Sequence, residues 1–127
     1  MTLRSSAPGE YGSLRLVSAL LNFNTAGGAV DLDSLAVGDV VVLAWAEILT
    51  GFNAGTTNVL TLGDGTTGNK FIAAADVTEA TPGSSAATGP FPAETAVGTL
   101  RASYAQTGTA ATAGSARIYA LVSDRPA

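Results

Sequence analysis

The sequence predicts a single all-β domain, folded as a β-sandwich of about seven to eight strands. Two observations carry this prediction: short apolar or alternating segments recur along the chain, and clusters of Gly, Asn, Asp and Thr separate them. That rhythm is typical of strands and turns rather than of helices. A length of 127 residues suits one hydrophobic core. We expect residues 14–127 to form the domain and residues 1–13, with Ser, Gly and Pro8, to form an extended N-terminal arm.

The segment 40–49 opens with three valines and is expected to be a central strand buried on both faces. On strand parity, Trp45 and Glu47 fall with Val41, which predicts a core tryptophan near a sheet edge, or an interface anchor. Glu47 is expected to pair with an Arg or to lie at the rim. The other strands are expected at 14–23, 28–32, 57–62, 70–75, 97–105 and 116–123. A helix over 14–23 or 40–49 is the alternative, because Leu and Ala are common there.

Residues 80–95 are too rich in Pro, Gly and Ser to predict a regular element, and loops of this length are often functional. Phe91 stands between Pro90 and Pro92, so a stiff backbone presents an aromatic ring. The ring either folds back to cap the sandwich or contacts a neighbouring subunit.

Composition excludes several function classes. The chain has no Cys and no His, so it lacks the commonest general base, the commonest transition-metal ligand and any disulfide. With a net charge of −4 and six scattered basic residues, no patch is expected to bind nucleic acid. The longest apolar run, 40–46, falls far short of the roughly 20 residues that span a bilayer. We expect no enzyme activity, cofactor, metal or membrane partner.

Two motifs resemble ligand sites and are better explained by structure. Residues 63–68 match G-x-G-x-x-G, but a strand-like run follows where a dinucleotide site needs a helix, so a hairpin loop is expected. Asp31 and Asp33 lack the spacing of a calcium loop and are expected to share the solvated face of a strand end.

The turn at 52–55 is expected to place Asn53 and Gly55 in left-handed conformations while Phe52 locks it against the sheet. The motif Phe-Asn-Ala-Gly-Thr-Thr-Asn at 52–58, the alternating strand after it and Gly-Asp at 63–64 resemble small structural proteins of tailed bacteriophages. The segment 107–119 is similar to their closing loop and last strand. The family is that of capsid decoration, or cement, proteins and related head structural proteins.

The resemblance implies a jelly-roll-like sandwich that binds the major capsid protein on the outer surface of the virion, over subunit junctions. It implies a homo-oligomer, with a trimer favoured and a dimer possible. Fibre, spike and tail components share such motifs, and a carbohydrate-binding sandwich is a further alternative. Interface contacts are expected from seven residues in the arm, the 52–53 turn and the Pro-rich loop: Arg4, Tyr11, Phe52, Asn53, Pro90, Phe91 and Pro92.

Overall fold

A computed structural model describes residues 13–124. This part of the chain forms seven strands and two single-turn 3₁₀ helices, Ala26–Gly28 and Ala74–Asp76. The strands are β1 (Leu14–Asn22), β2 (Ala29–Leu35), β3 (Val40–Thr50), β4 (Thr57–Gly63), β5 (Gly83–Ser84), β6 (Gly98–Thr107) and β7 (Ser115–Ser123). The expected arm at 1–13 lies almost wholly outside the described residues.

The strands pair into a four-stranded sheet in the order β1-β7-β3-β5 and a three-stranded sheet in the order β2-β6-β4. Every pairing is antiparallel. Successive strands alternate between the two sheets, which is the winding of a jelly roll. A bridge from Leu62 to Ile72 adds a rudimentary fourth member beside β4. The predicted all-β, jelly-roll-like sandwich is therefore confirmed.

The core fills the space between the sheets. Along β7 every second residue, from Ala116 to Val122, is buried, and β6 contributes Leu100 and Ala102. Leu60 and Leu62 of β4 are fully buried on the same side. This period of two is the alternation that places one face of each strand in the core and the other outside.

Strand β3 differs from its prediction. It lies inside the sheet between β7 and β5, but only one face is buried, because Leu43 and Leu49 are exposed. A bulge between Val41 and Leu43 reverses the parity, so that Val41 points into the core and Trp45 points outward. The expected core tryptophan was therefore wrong, and Trp45 lies half-buried on the outer face.

The predicted strand at 70–75 is also wrong. Only Ile72 bridges to β4, and the chain then turns into the 3₁₀ helix, whose Asp76 accepts a hydrogen bond from the backbone N–H of Ala73 at 2.8 Å. Phe71 and Ile72 are nevertheless buried, so the apolar run that suggested a strand still serves the core.

The Pro-rich segment forms no regular element beyond the two-residue strand β5, as expected, but it runs along the outer edge of β3. Gly83 pairs with Ile48, Ser85 with Ala46, Thr88 with Ala44 and Phe91 with Val41. The ring of Phe91 packs edge-on against Phe71, with centroids 5.1 Å apart, which is the capping arrangement. Backbone hydrogen bonds therefore cover the β3 edge, which would otherwise invite pairing with another chain.

The turn after β3 is fixed by its aromatic residue. Phe52 is 1% exposed and packs on Tyr104 with ring centroids 4.5 Å apart. Asn58 accepts hydrogen bonds from the Tyr104 hydroxyl at 2.6 Å and from the backbone N–H of Ala54 at 2.9 Å. No residue other than Gly has a positive φ within 13–124, so the expected left-handed Asn53 was wrong. Gly55 has no positive φ either, and is needed because a side chain would meet Thr109.

Candidate protein interface

The outer face of the four-stranded sheet presents a continuous apolar surface, which we call the apolar face. Register pairs its residues in rows across β1, β7 and β3. One row is Leu16, Leu121 and Leu43, and the next is Ser18, Tyr119 and Trp45. A third row, Leu20, Arg117 and Glu47, ends the apolar part with a cation beside an anion.

Exposure concentrates on this face. Leu16 is 59% exposed, Leu49 46% and Leu20 41%, and Leu14 and Leu43 also lie on it. Within 13–124 only Val37 and Val97 are comparably exposed large apolar residues elsewhere. Isolated surface leucines need no explanation, but a contiguous apolar patch on one sheet face marks an interaction site.

Aromatic stacking stiffens the centre of the apolar face. The rings of Trp45 and Tyr119 are nearly parallel, with an interplanar angle of 10° and centroids 5.0 Å apart. The Tyr119 hydroxyl donates a hydrogen bond to Glu47 at 3.4 Å, and Glu47 lies opposite Arg117 in the sheet. Rigid, half-buried aromatic side chains of this kind lose little entropy on binding and act as anchors in interfaces. Of the two roles that the sequence left open for Trp45, the structure excludes the core position, and the role of an interface anchor stays a prediction.

The opposite face of the sandwich has a different character. The outer side of the three-stranded sheet presents small and polar residues, among them Thr61, Ser103 and a Thr57–Thr107 hydroxyl pair at 2.6 Å. Its charges form a cross-strand pair in which Arg101 donates to Asp31 at 2.6 Å. That hydrogen bond lowers the pKa of Asp31 and raises the pKa of Arg101. Such a surface is well solvated, so the two faces are sharply asymmetric.

Arg15 closes one end of the sandwich. Its guanidinium donates to Asp33 at 2.8 Å and to the backbone carbonyl of Ser34 at 3.2 Å, and it also pairs with Asp39 and Asp124. We expected Asp31 and Asp33 to lie on the same face of the strand, and this was wrong. A bulge between them changes the side-chain direction, so Asp31 binds Arg101 and Asp33 binds Arg15. These carboxylates fasten strand ends. Within 13–124 no three His, Cys, Asp or Glu side chains group so as to hold a metal ion.

The glycine-rich motif at 63–68 forms a turn held by its aspartate. Asp64 accepts hydrogen bonds from the backbone N–H groups of Thr66 and Thr67 and from Lys70, whose ammonium also binds the buried Glu94 at 2.6 Å. Burial opposes ionisation of Asp64, but these hydrogen bonds outweigh it and lower its pKa to about 2. The hydrogen bond to Glu94 in turn raises the pKa of Lys70. The polar groups of the motif thus bind one another and tie the Pro-rich segment to the β4 turn.

The residues expected at an interface fall in different places. Arg4 and Tyr11 lie outside the described residues. Phe52 is buried in the core, and Asn53 binds the 112–113 backbone through its side-chain oxygen at 2.8 and 3.0 Å. Pro90 and Pro92 are exposed, while Phe91 is half-buried against Phe71. None of the described five lies on the apolar face. The sequence carried one sign of the apolar face, the leucines at every second position of β1. That pattern could not tell the outer face of the strand from its inner face, because both are apolar.

The fold and the surface define the structural class of the protein. It is an antiparallel jelly-roll sandwich, and in the described residues one sheet has a broad, exposed apolar face. Within residues 13–124 no helix is long and apolar enough to cross a membrane. No protein-family model matches the chain, and no curated protein matches its sequence.

Comparison with solved structures, unlike the two sequence comparisons, finds similar proteins. A chain of the capsid asymmetric unit of cyanophage Pam1 superposes with a TM-score of 0.67 at 25% identity, over 97% of this chain and 94% of that one. A chain from the acid-stable capsid of Helicobacter pylori bacteriophage KHP30 gives a TM-score of 0.56 at 21% identity, over 87% and 89% of the two chains. The second shows the shared fold alone. The first likeness supports a relation between this chain and phage capsid proteins, and both neighbours are chains of phage capsids.

Proposed function

We propose that this chain is a capsid decoration, or cement, protein, which binds the major capsid protein on the outer surface of the head and stabilises the shell. The observation that carries the proposal is the likeness to a chain of the Pam1 capsid asymmetric unit, which extends over nearly the whole length of both chains. The motifs at 52–58 and 107–119, which resemble decoration proteins, are in direct contact: Asn53 hydrogen-bonds Thr112, and the ring of Phe52 lies against Gly114.

The mechanism is mass action. A protein that binds the assembled shell, and not its dissociated subunits, lowers the free energy of the shell and so opposes its opening. The sandwich suits this role because its loops are tied down by hydrogen bonds, as in the 83–91 segment along β3, so that little order has to be gained on binding. Repetition over the lattice multiplies a small contribution from each copy.

The proposal includes self-association. The resemblance favours a trimer over capsid subunit junctions, with a dimer as the alternative. The exposed Pro90 and Pro92 and the arm at 1–13 remain proposed contacts with the shell. Phe91 is a poorer probe of such a contact than the sequence suggested, because its replacement would also remove the packing on Phe71.

Add-back of the purified chain to particles that lack it tests this function. Particles from a phage with the gene deleted should open at a lower temperature than complete particles, and the added chain should bind saturably in many copies and restore the difference. A matched control is the chain heat-unfolded before addition. Saturation at a few copies per particle would indicate a fibre, spike or tail component instead, and absence of binding would contradict the proposal.

A further inference from the structure

The two ends of the sandwich differ in their charge. Strands β1, β3 and β6 begin, and β2, β4 and β7 end, at the same end of the sandwich. We call this the arm end, because the N-terminal arm joins β1 there, and it comprises the segments 36–39, 64–67 and 94–97. The opposite end, which we call the far end, comprises the loops 23–28, 51–56 and 108–114. None of these three loops contains a charged residue.

Two recesses open at the arm end, and each holds more carboxylates than cations. The charged residues of the first recess, which has a volume of about 410 Å³, are Asp33, Asp39, Asp124 and Arg15. Those of the second, which has a volume of about 250 Å³, are Asp64, Glu94 and Lys70. Five carboxylates against two cations give these recesses a formal charge of −3. Outside the described part of the chain, three charged residues add only +1, so the sum stays negative wherever they lie: Arg4, Glu10 and Arg125.

Exposed apolar side chains accompany the recesses. Val97 lines the second recess and is 77% exposed, the highest value among the large apolar side chains of the described residues. Val37 is 41% exposed in the turn that borders the first recess. The exposed Pro90 and Pro92 lie beside the start of β3, at the same end. Apolar side chains among charged ones, on a surface with recesses, are typical of a protein interface.

We propose that the arm end binds a positively charged surface of the major capsid protein, so that the strands stand on the shell and the far end points away from it. The inference rests on the proposed function. It deepens that function by naming the surface of this chain that meets the shell and the charge of the surface that receives it. The proposed contacts of the arm, Pro90 and Pro92 then belong to one contact area.

The negative charge decides between possible occupants of the arm end. The arm end of a second copy, a nucleic acid and an anionic lipid are all negatively charged, so each is repelled. Within 13–124 no three His, Cys, Asp or Glu side chains group so as to hold a metal ion. Lysine and arginine side chains on a protein surface are attracted to both recesses.

Carboxylates of the first recess are accessible to such a partner. Asp33 and Asp124 both pair with Arg15, yet 36% and 39% of their side chains remain exposed. A carboxylate has several acceptor positions, so each of them has room for a second cation. Val37 and Val97 supply the apolar contact that excludes water around these pairs.

Cysteine labelling tests which end meets the shell. The chain contains no cysteine, so Val97→Cys at the arm end and its matched control Ala110→Cys at the far end each introduce a single thiol at an exposed position. In the free chain, both thiols should react with a maleimide at rates within about threefold of each other, and circular dichroism should show the original fold. The variants are then added to particles that lack the chain, and labelling of this chain is followed by mass spectrometry. On particles, labelling at position 97 should slow at least about tenfold, while position 110 stays within about twofold of its free rate.

A pair of charge variants tests the sign of the receiving surface. Val97→Glu and Val97→Lys both remove the apolar side chain, and they differ in the charge that they introduce. At about 50 mM salt, Val97→Glu should saturate particles at a concentration at least about tenfold lower than Val97→Lys, and the difference should shrink at about 500 mM salt because of screening. Ala110→Glu and Ala110→Lys are the matched controls at the far end, and their saturating concentrations should agree within about threefold.

The outcomes separate this inference from the function on which it rests. A chain that binds in many copies while position 97 stays reactive, or while position 110 is protected as strongly, contradicts the orientation and leaves the proposed function standing. Equal binding of Val97→Glu and Val97→Lys at low salt contradicts a positively charged partner surface. Protection of position 97 in the free chain means that another copy or the chain's own arm covers the arm end, which also overturns the inference. An original chain that binds no particles contradicts the proposed function itself.

Discussion

Gly114 allows the closing loop to lie directly on the ring of Phe52, and we predict that Gly114→Ala strongly destabilises the domain. A Cβ at this position would lie 2.6 Å from Cγ and 2.8 Å from Cε2 of Phe52, far inside van der Waals contact. The backbone φ of +147° adds strain for any L side chain. Overpacking costs about 1–3 kcal/mol and the backbone strain about 1–3 kcal/mol, so the free energy of unfolding should fall by about 2–6 kcal/mol.

Urea unfolding, followed by Trp45 fluorescence and by circular dichroism, measures the change. The steric part should be relieved by Phe52→Leu, so the cost of Gly114→Ala should be smaller by about 1–2 kcal/mol in that background. Gly68→Ala is the matched control, because nothing lies within 4 Å of its Cβ position, and it should change stability by less than about 0.5 kcal/mol. An unchanged cost of Gly114→Ala in the Phe52→Leu background would refute the packing argument.

Other predictions concern the charges and the core. Lys70→Met should cost about 2–4 kcal/mol, because Glu94 is 4% exposed and would lose its cation, and adding Glu94→Gln should recover part of the loss in the same urea assay. Because the pKa of Asp64 is lowered from 3.8 to about 2, its stabilisation is complete above its unfolded-state pKa and is lost as the pH falls from about 4 to about 2. Asp64→Asn should flatten the pH dependence of stability over that range, and an equally steep fall in the variant would contradict the assignment. Leu100→Ala should cost about 2–5 kcal/mol in urea unfolding, since Leu100 is fully buried, and a cost below about 1 kcal/mol would contradict its place in the core.

Much of the architecture could be predicted from alternation and turn residues. The ends of β1, β4 and β7 fall within a residue or two of their expected positions, because each is bounded by Gly, Asn, Asp or Thr. The pairing of the Pro-rich segment with β3 was not predicted, because that pairing is intermittent and leaves no period of two in the sequence. The strand predicted at 70–75 was wrong for the opposite reason. Its apolar residues Phe71 and Ile72 are buried in the core, but the segment does not pair as a strand beyond a single bridge.

The apolar face could not be found from sequence alone. A single bulge after Val41 turns Trp45 from the core to the surface, and a bulge leaves no mark in a run of valines. In β1 both faces are apolar, with Val17 and Leu21 inside and Leu16 and Leu20 outside, so composition does not tell which face is covered. The cross-strand rows that make up the face exist only once β7 is paired between β1 and β3.

Cryo-electron microscopy of purified particles from the source tests the central claim most directly. The account predicts density for this jelly roll repeated over the outside of the shell, at subunit junctions, in contact with the major capsid protein. Density confined to one vertex or to the tail, or a shell without this chain, would contradict a decoration role.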